Sequence, residues 1–184
     1  MKKFLTLCFI LFALPSWGET VSMDEIVRKG DLFYKHSSNV PYTGLATDYS
    51  VFFEIGYFKD GKREGVWTSY WFNDKGVPKL ASKVSFKDNQ IDGQLIDYLH
   101  NEEIDAVRSY KNGTPHGIWQ NYYAGNNQVA YSGHYKEGKK YGTWIVYNED
   151  GSLDNLEHYI DGVLIIRTYS LFWKIAGVVG RIIV

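Results

Sequence analysis

Along the middle of the chain, runs rich in Tyr, Trp, Val and Ile alternate with polar clusters of Gly, Asn, Asp and Lys, and the alternation keeps a period. Its fullest statement is Tyr110 to Tyr122, Y-K-N-G-T-P-H-G-I-W-Q-N-Y, whose skeleton is aromatic-K-x-G-x-x-x-G-x-W-x-x-Y. Phe58, Lys59, Gly61, Gly65, Trp67 and Tyr70 repeat that skeleton upstream; Tyr135, Lys136, Gly138, Gly142, Trp144 and Tyr147 repeat it downstream. A weaker copy, Phe86, Lys87, Asn89, Gly93, Leu95 and Tyr98, lies between the first two. Successive lead aromatics are 28, 24 and 25 residues apart, and a further 24 reach Tyr159, Asp161 and Gly162, where the pattern stops. A fixed period in the twenties marks a repeat architecture.

Each unit centres on a turn whose Gly, Asn or Asp tolerates positive φ, between runs suited to a pleated surface. It therefore predicts a β-hairpin. A second polar turn leads to the next unit: Asn73 to Gly76, Asn101 to Glu103, Gly125 to Asn127, Asn148 to Gly151. The expected fold is all-β, an elongated antiparallel meander of repeated hairpins. Trp119 and Tyr122 are three apart, so strict alternation places them on opposite faces. Either both faces carry aromatics or a bulge corrects the phase.

These recurring positions resemble the membrane occupation and recognition nexus (MORN) repeat, in the variant form of bacterial proteins often labelled antitoxin-like. The resemblance covers Asp31 to Gly162. It implies a stack of hairpins used for binding or scaffolding, and a link to membrane lipids; nothing in the residues speaks for the antitoxin label. The copy at Phe86 departs at Asn89 and Leu95, which suggests a weakened middle unit. The copy at Tyr159 has Ile166 and Thr168 in place of Gly and Trp, which suggests a terminal half-hairpin.

Both ends depart from the repeat. Residues 1–18 have Lys2 and Lys3, an apolar run from Phe4 to Leu14, and small residues at Ser16 and Gly18, the layout of a secretory signal peptide cleaved before Glu19. Residues 19–30 form a capping segment: Ser22 to Glu25 matches a capping box and Gly30 a helix stop, predicting a short helix over the first sheet edge. Repeats occupy 31–162. The tail, 163–184, is apolar and acid-free, with Arg167, Lys174 and Arg181 seven apart, one stripe if the tail is helical. A helix from Ser170 would be about 22 Å long and too short to span; one from Val163 would place Lys174 near the bilayer centre. The tail can dock on the last hairpins, lie in a membrane interface, or span.

Composition sharpens this picture. Aromatics make up 17% of the chain, with 15 Tyr against 2 Met, which suits a thin sheet packed with flat rings better than a thick core. Removing the signal takes away two lysines and the single cysteine, leaving 18 basic and 21 acidic residues, a formal charge of −3. Such a chain has no overall electrostatic attraction for nucleic acid.

The search for chemistry is negative. His36 and His100 fall in predicted turns, and His116 takes a position held elsewhere by Glu64, Asp92 and Tyr141. His134 and His158 each precede a lead aromatic, two strands apart in the predicted meander, which is too far for one zinc. Glu102-Glu103 reads as a solvated turn. Lys59, Lys87, Lys111 and Lys136 form a column, but Asp60, Asp88, Asn112 and Glu137 stand beside them, as on a solvated edge. No nucleophile, metal or nucleotide motif is present. The expectation is an exported, cofactor-free and metal-free non-enzyme of the cell envelope, periplasmic or secreted, acting as a scaffold or protein-binding module. Its candidate partner surface is Trp67, Tyr70, Tyr98, Trp119, Tyr122, Trp144 and Tyr147, and its expected partner another protein. The alternative is association with an anionic membrane surface through Arg167, Trp173, Lys174 and Arg181.

Overall fold

The computed structural model describes residues 19–48 and 52–170. They form β1 (Thr20–Ser22), one 3-10 turn (Met23–Glu25), β2 (Ile26–Lys29), β3 (Leu32–Lys35), β4 (Gly44–Thr47), β5 (Phe52–Lys59), β6 (Lys62–Phe72), β7 (Pro78–Lys87), β8 (Gln90–Tyr98), β9 (Ile104–Lys111), β10 (Thr114–Tyr122), β11 (Val129–Lys136), β12 (Lys139–Tyr147), β13 (Leu153–Ile160) and β14 (Val163–Tyr169). Strands β4 to β14 make one sheet in sequence order, with β1 added in parallel at the β4 edge; β2 and β3 pair separately. The meander that the repeats demand is therefore present.

Each repeat turns on two residues. In Asp60-Gly61, Asp88-Asn89, Asn112-Gly113, Glu137-Gly138 and Asp161-Gly162, both positions have φ between 48° and 84°. These are the left-handed turns whose twist matches a hairpin. The second residue of each turn then donates its backbone N–H to the preceding unit: Gly61 to the Tyr42 carbonyl (2.7 Å), Asn89 to Arg63 (3.1 Å), Gly113 to Ile91 (2.8 Å), Gly138 to Pro115 (2.9 Å) and Gly162 to Lys140 (3.0 Å). One bond per repeat thus fixes both the hairpin and its stacking on its neighbour.

Two irregularities recur in every full unit. Beyond the turn, Ile55 pairs with Thr68 and Tyr57 with Glu64, so Gly65, Val66 and Trp67 together face Gly56. Equivalent shifts fall at Gly93, Gly117 and Gly142, all at positive φ. A second shift leaves one extra residue, Ala81, Asp105, Ala130 or Asp154, opposite the unit's Tyr. Bulges of this kind bend and twist a strand.

The sheet is one layer thick, and its core lies within one face. There, rings run in a ladder across the strands: Phe33 to Phe58 (4.9 Å between centroids), Phe58 to Trp67 (4.9 Å) and Trp67 to Phe86 (6.1 Å). The ladder resumes with Tyr110 to Trp119 (5.7 Å), Trp119 to Tyr135 (4.4 Å), Tyr135 to Trp144 (5.2 Å) and Trp144 to Tyr159 (6.4 Å). Leu95 occupies the interruption. Tyr70 stacks instead on Phe53, an odd number of residues from Gly56, so Trp and Tyr of a unit lie on opposite faces. Both faces carry aromatics.

Trp67 and Trp144 lie flat because the neighbouring strand offers no side chain. A Cβ on Gly56 would sit 1.9 Å from the Trp67 ring, and one on Gly133 would sit 2.0 Å from Trp144.

Three expectations are corrected. The N-terminal helix is only a single 3-10 turn: Glu25 accepts from the Ser22 N–H (3.3 Å), but β-branched Ile26 and Val27 extend at once into β2. Gly30, at φ 63°, turns the β2–β3 hairpin instead of ending a helix, and β1 rather than a helix covers the first edge. At the other end, Val163–Tyr169 is strand, so no helix starts at Val163, and the terminal hairpin is complete. Asp161-Gly162 suffices to close it. Asn89 likewise preserves its turn at φ 68°, since Asn tolerates the left-handed region. The expected signal peptide and residues 171–184 lie outside the described residues.

Gly56→Ala and Gly133→Ala should each destabilise by about 1–3 kcal/mol or more through overpacking, despite ordinary backbone angles. Gly65→Ala, with nothing within 4 Å of the new Cβ but φ at 72°, should cost only its backbone strain, about 1–2 kcal/mol. Denaturant melts rank the three; a Gly133→Ala loss smaller than that of Gly65→Ala would contradict the close approach.

Candidate interaction face and its buried polar cluster

The seven aromatic candidates divide by face. Trp67 and Trp144 are 1% exposed and belong to the core, so they offer no surface to a partner. Trp119 is half-buried. Its neighbour at the position of Gly56 is Arg108, whose guanidinium lies 5.7 Å from the ring, and its indole N–H donates to the Ser109 carbonyl (3.1 Å). The two fully buried indoles have no acceptor among the described residues. Cations cover them instead: Arg63 stands 4.3 Å from the Trp67 ring and Lys140 stands 4.6 Å from the Trp144 ring. Arg63 and Lys140 occupy one repeat position, opposite the lead aromatics Phe58 and Tyr135; Ile91 and Pro115 take that place in the other two units.

Tyr70, Tyr98, Tyr122 and Tyr147 are half-buried, each beside an aliphatic residue of the next strand: Leu80, Ile104, Val129 and Leu153. Alternation sets them on the face opposite the ladder, together with Val66 and Ile118, which are 59% and 45% exposed. Among the described residues no second layer covers this face. A shallow groove of about 320 Å³ runs along it between Gln120, Val129, Ser132, Ile145 and Tyr147. There the Tyr122 hydroxyl donates to Gln120 (3.2 Å), which donates to Ser132 (3.2 Å). A second groove of about 480 Å³ takes in His116, His134, Tyr141 and Thr143 around Gly117 and Gly142.

The histidines are scattered. His36 is exposed, and His100 stacks on Trp71 (4.0 Å). His134 pairs with Tyr141, whereas His158 pairs with Thr143 and approaches its hydroxyl (3.4 Å), so β12 stands between the two. No group of three or more His, Cys, Asp and Glu suited to a metal ion occurs among the described residues. Lys59, Lys87, Lys111 and Lys136 are exposed; beside them Lys62 binds Asp88 (2.9 Å). Glu102 takes a bond from Lys79 (2.8 Å).

Sequence reasoning passed over the most heavily buried charge among the described residues. Glu157, 6% exposed, stands where Gly56 and Gly133 stand in other units. It accepts from the Tyr159 hydroxyl (2.8 Å), the Tyr131 hydroxyl (3.3 Å) and Arg167 (2.5 Å), with the Lys140 ammonium 4.0 Å away. Lys140 in turn donates to the Tyr131 and Tyr159 hydroxyls. Burial pushes the Glu157 carboxyl up, but the bonds from Tyr159 and Arg167 and the nearby cations outweigh it and hold it below its usual value. Burial draws the Lys140 ammonium down and raises the Tyr131 hydroxyl. The groups satisfy one another and form a polar plug at the end of the ladder. Only the loss of Gly from the lead-minus-two position signalled it.

Of the membrane candidates, Arg167 is committed to Glu157 within a strand, which removes it from a helical stripe; Trp173, Lys174 and Arg181 lie outside the described residues. No helix among the described residues is long and apolar enough to cross a membrane. Comparison of the sequence with protein-family models finds none that matches, and none of the curated proteins matches either.

Trp144→Ala should cost about 3–5 kcal/mol and Trp119→Ala less, while Trp119→Leu should be milder still, as Leu95 already stands at that position. Denaturant melts in which Trp119→Leu loses as much as Trp119→Ala would count against ring packing. Glu157→Gln should cost about 2 kcal/mol at pH 7, discounted because both cations keep contact with solvent. Since the folded carboxyl titrates below its unfolded value near 4.5, this contribution is present above 4.5 and vanishes as pH falls through the folded value. Parent and variant should therefore converge in acid; a constant gap across the titration would rule out the charge as the cause.

Proposed function

We propose that this chain is an exported, non-enzymatic repeat protein that serves as a scaffold or protein-binding module of the cell envelope, as the likeness to bacterial MORN-variant proteins implies. The observation that carries the reading is the division of labour between the two faces. One face buries its rings against each other and against Arg63, Arg108 and Lys140. The other presents a column of half-buried Tyr with exposed Val66, Ile118 and Tyr141. Tyr is a residue of interface cores, with a large apolar ring and a polar tip. Polar groups on this face are chiefly neutral amides and hydroxyls, as in the Tyr122–Gln120–Ser132 chain, and suit hydrogen bonding to a partner's surface.

A photo-reactive residue placed at Ile118 or Tyr141 in producing cells should cross-link to a discrete protein, whereas one at Asp60, on the turn edge, should not. Purified protein should stay off both anionic and neutral vesicles. Salt-sensitive binding to anionic vesicles that disappears on removal of residues 171–184 would replace this reading with membrane-surface association.

A further inference from the structure

The two ends of the sheet are finished differently. At the first edge, β1 pairs with β4, and the β2–β3 hairpin folds over the ladder with Phe33 against Phe58. At the last edge stands β14, with Val163, Ile165 and Ile166 62%, 56% and 57% exposed. Four successive β-prone apolar residues lie there without Pro or Lys, the residues that discourage strand addition. Its one charge, Arg167, is held by Glu157.

The stacking rule described above extends to this edge. Each turn N–H reaches the residue five beyond the lead aromatic of the preceding unit: Arg63, Ile91, Pro115 and Lys140. In the last hairpin that residue is Leu164, and among the described residues no further turn follows it. The seven residues that directly follow β14 are poorly made to supply one. Every reversal in the described repeats uses Asn, Asp or Gly, yet Ser170 to Ala176 contains none of these.

We propose that the β14 edge is a docking surface for a second copy of this chain, β14 against β14 in antiparallel. The pairing is isologous: each strand offers the same apolar run and the same already-neutralised Arg167, so apposition buries Val163 to Ile166 without bringing free like charges together. An isologous β14 pair uses up this edge in both copies, and the opposite edge is the three-residue β1, which offers little to pair with, so addition stops at a closed dimer instead of a filament.

The test uses protein produced from the full chain on a Cys8→Ser background. Sedimentation should give a dimer, and the double variant Val163→Lys, Ile165→Lys should weaken association at least tenfold with an unchanged far-UV spectrum. Should that variant fail to fold, single cysteines at Leu164, Ile165 and Ile166 give an independent readout. An antiparallel self-pair has one centre, so one position should form an intermolecular disulfide far more readily than the other two. A monomer at about 100 µM, where a 1 µM complex would be almost wholly dimeric, overturns the proposal. So does equal cross-linking at all three positions, or dimerisation that appears only when residues 171–184 are removed, which would assign the edge to that segment.

Discussion

A sheet one layer thick has no second layer on which to bury its apolar face, and everything else in this protein answers to that constraint. Its solution is lateral burial: rings pack on rings across neighbouring strands, with a guanidinium or ammonium laid on the outer face of the indoles. The ladder demands that a large ring fit over the adjacent backbone, hence Gly56 and Gly133. It also demands that successive hairpins hold a common registry, which the turn N–H bonds to the preceding unit enforce. The recurrent bulges add local twist and bend to strands that carry bulky residues on both sides.

Charge enters where the ladder is interrupted or ends. Arg108 takes the place of a glycine beside Trp119 and binds Asp97, and Trp119 is correspondingly less buried. At Glu157 the substitution is more extreme: a carboxylate under the last rungs, tolerable only because two tyrosine hydroxyls and two cations surround it. Such a cluster adds little net stability compared with an apolar filling, but it admits one arrangement of the last four strands.

The hairpins were legible because they depend on local chemistry. Asp-Gly, Asn-Gly or Glu-Gly at a fixed distance from an aromatic specifies a turn almost irrespective of what surrounds it, and the Asp161-Gly162 hairpin formed even though its Gly and Trp partners were missing. What was illegible depends on neighbours distant in sequence. Ser22 to Gly30 carries sound helix signals, and an unpaired β4 edge and an unfilled end of the ladder add to β-branched Ile26 and Val27 in making it strand and hairpin. The split of the aromatics into core Trp and surface Tyr could be posed from spacing but not assigned, because alternation says that two faces differ without saying which is buried. Glu157 was overlooked since its environment comes from β11, β12 and β14 at once.

The gap at Leu95 has a consequence for cooperativity. In a repeat array, stability is approximately the sum of unit terms and nearest-neighbour couplings, so the weakest coupling decides where the array separates into blocks. Between Phe86 and Tyr110 the ladder's own ring contacts cease, and the neighbouring hairpins meet there through Leu95, the Arg108–Asp97 pair, the Asn112 N–H donated to Asp92 and backbone bonds, with His100 on Trp71 on the turn side. The described chain is thus divided into an N-terminal block reaching from Phe33 to Phe86 and a C-terminal block from Tyr110 to Tyr159. In such an array the interrupted rung is where side-chain coupling between the capped end and the C-terminal edge rests least on stacked rings and most on backbone pairing.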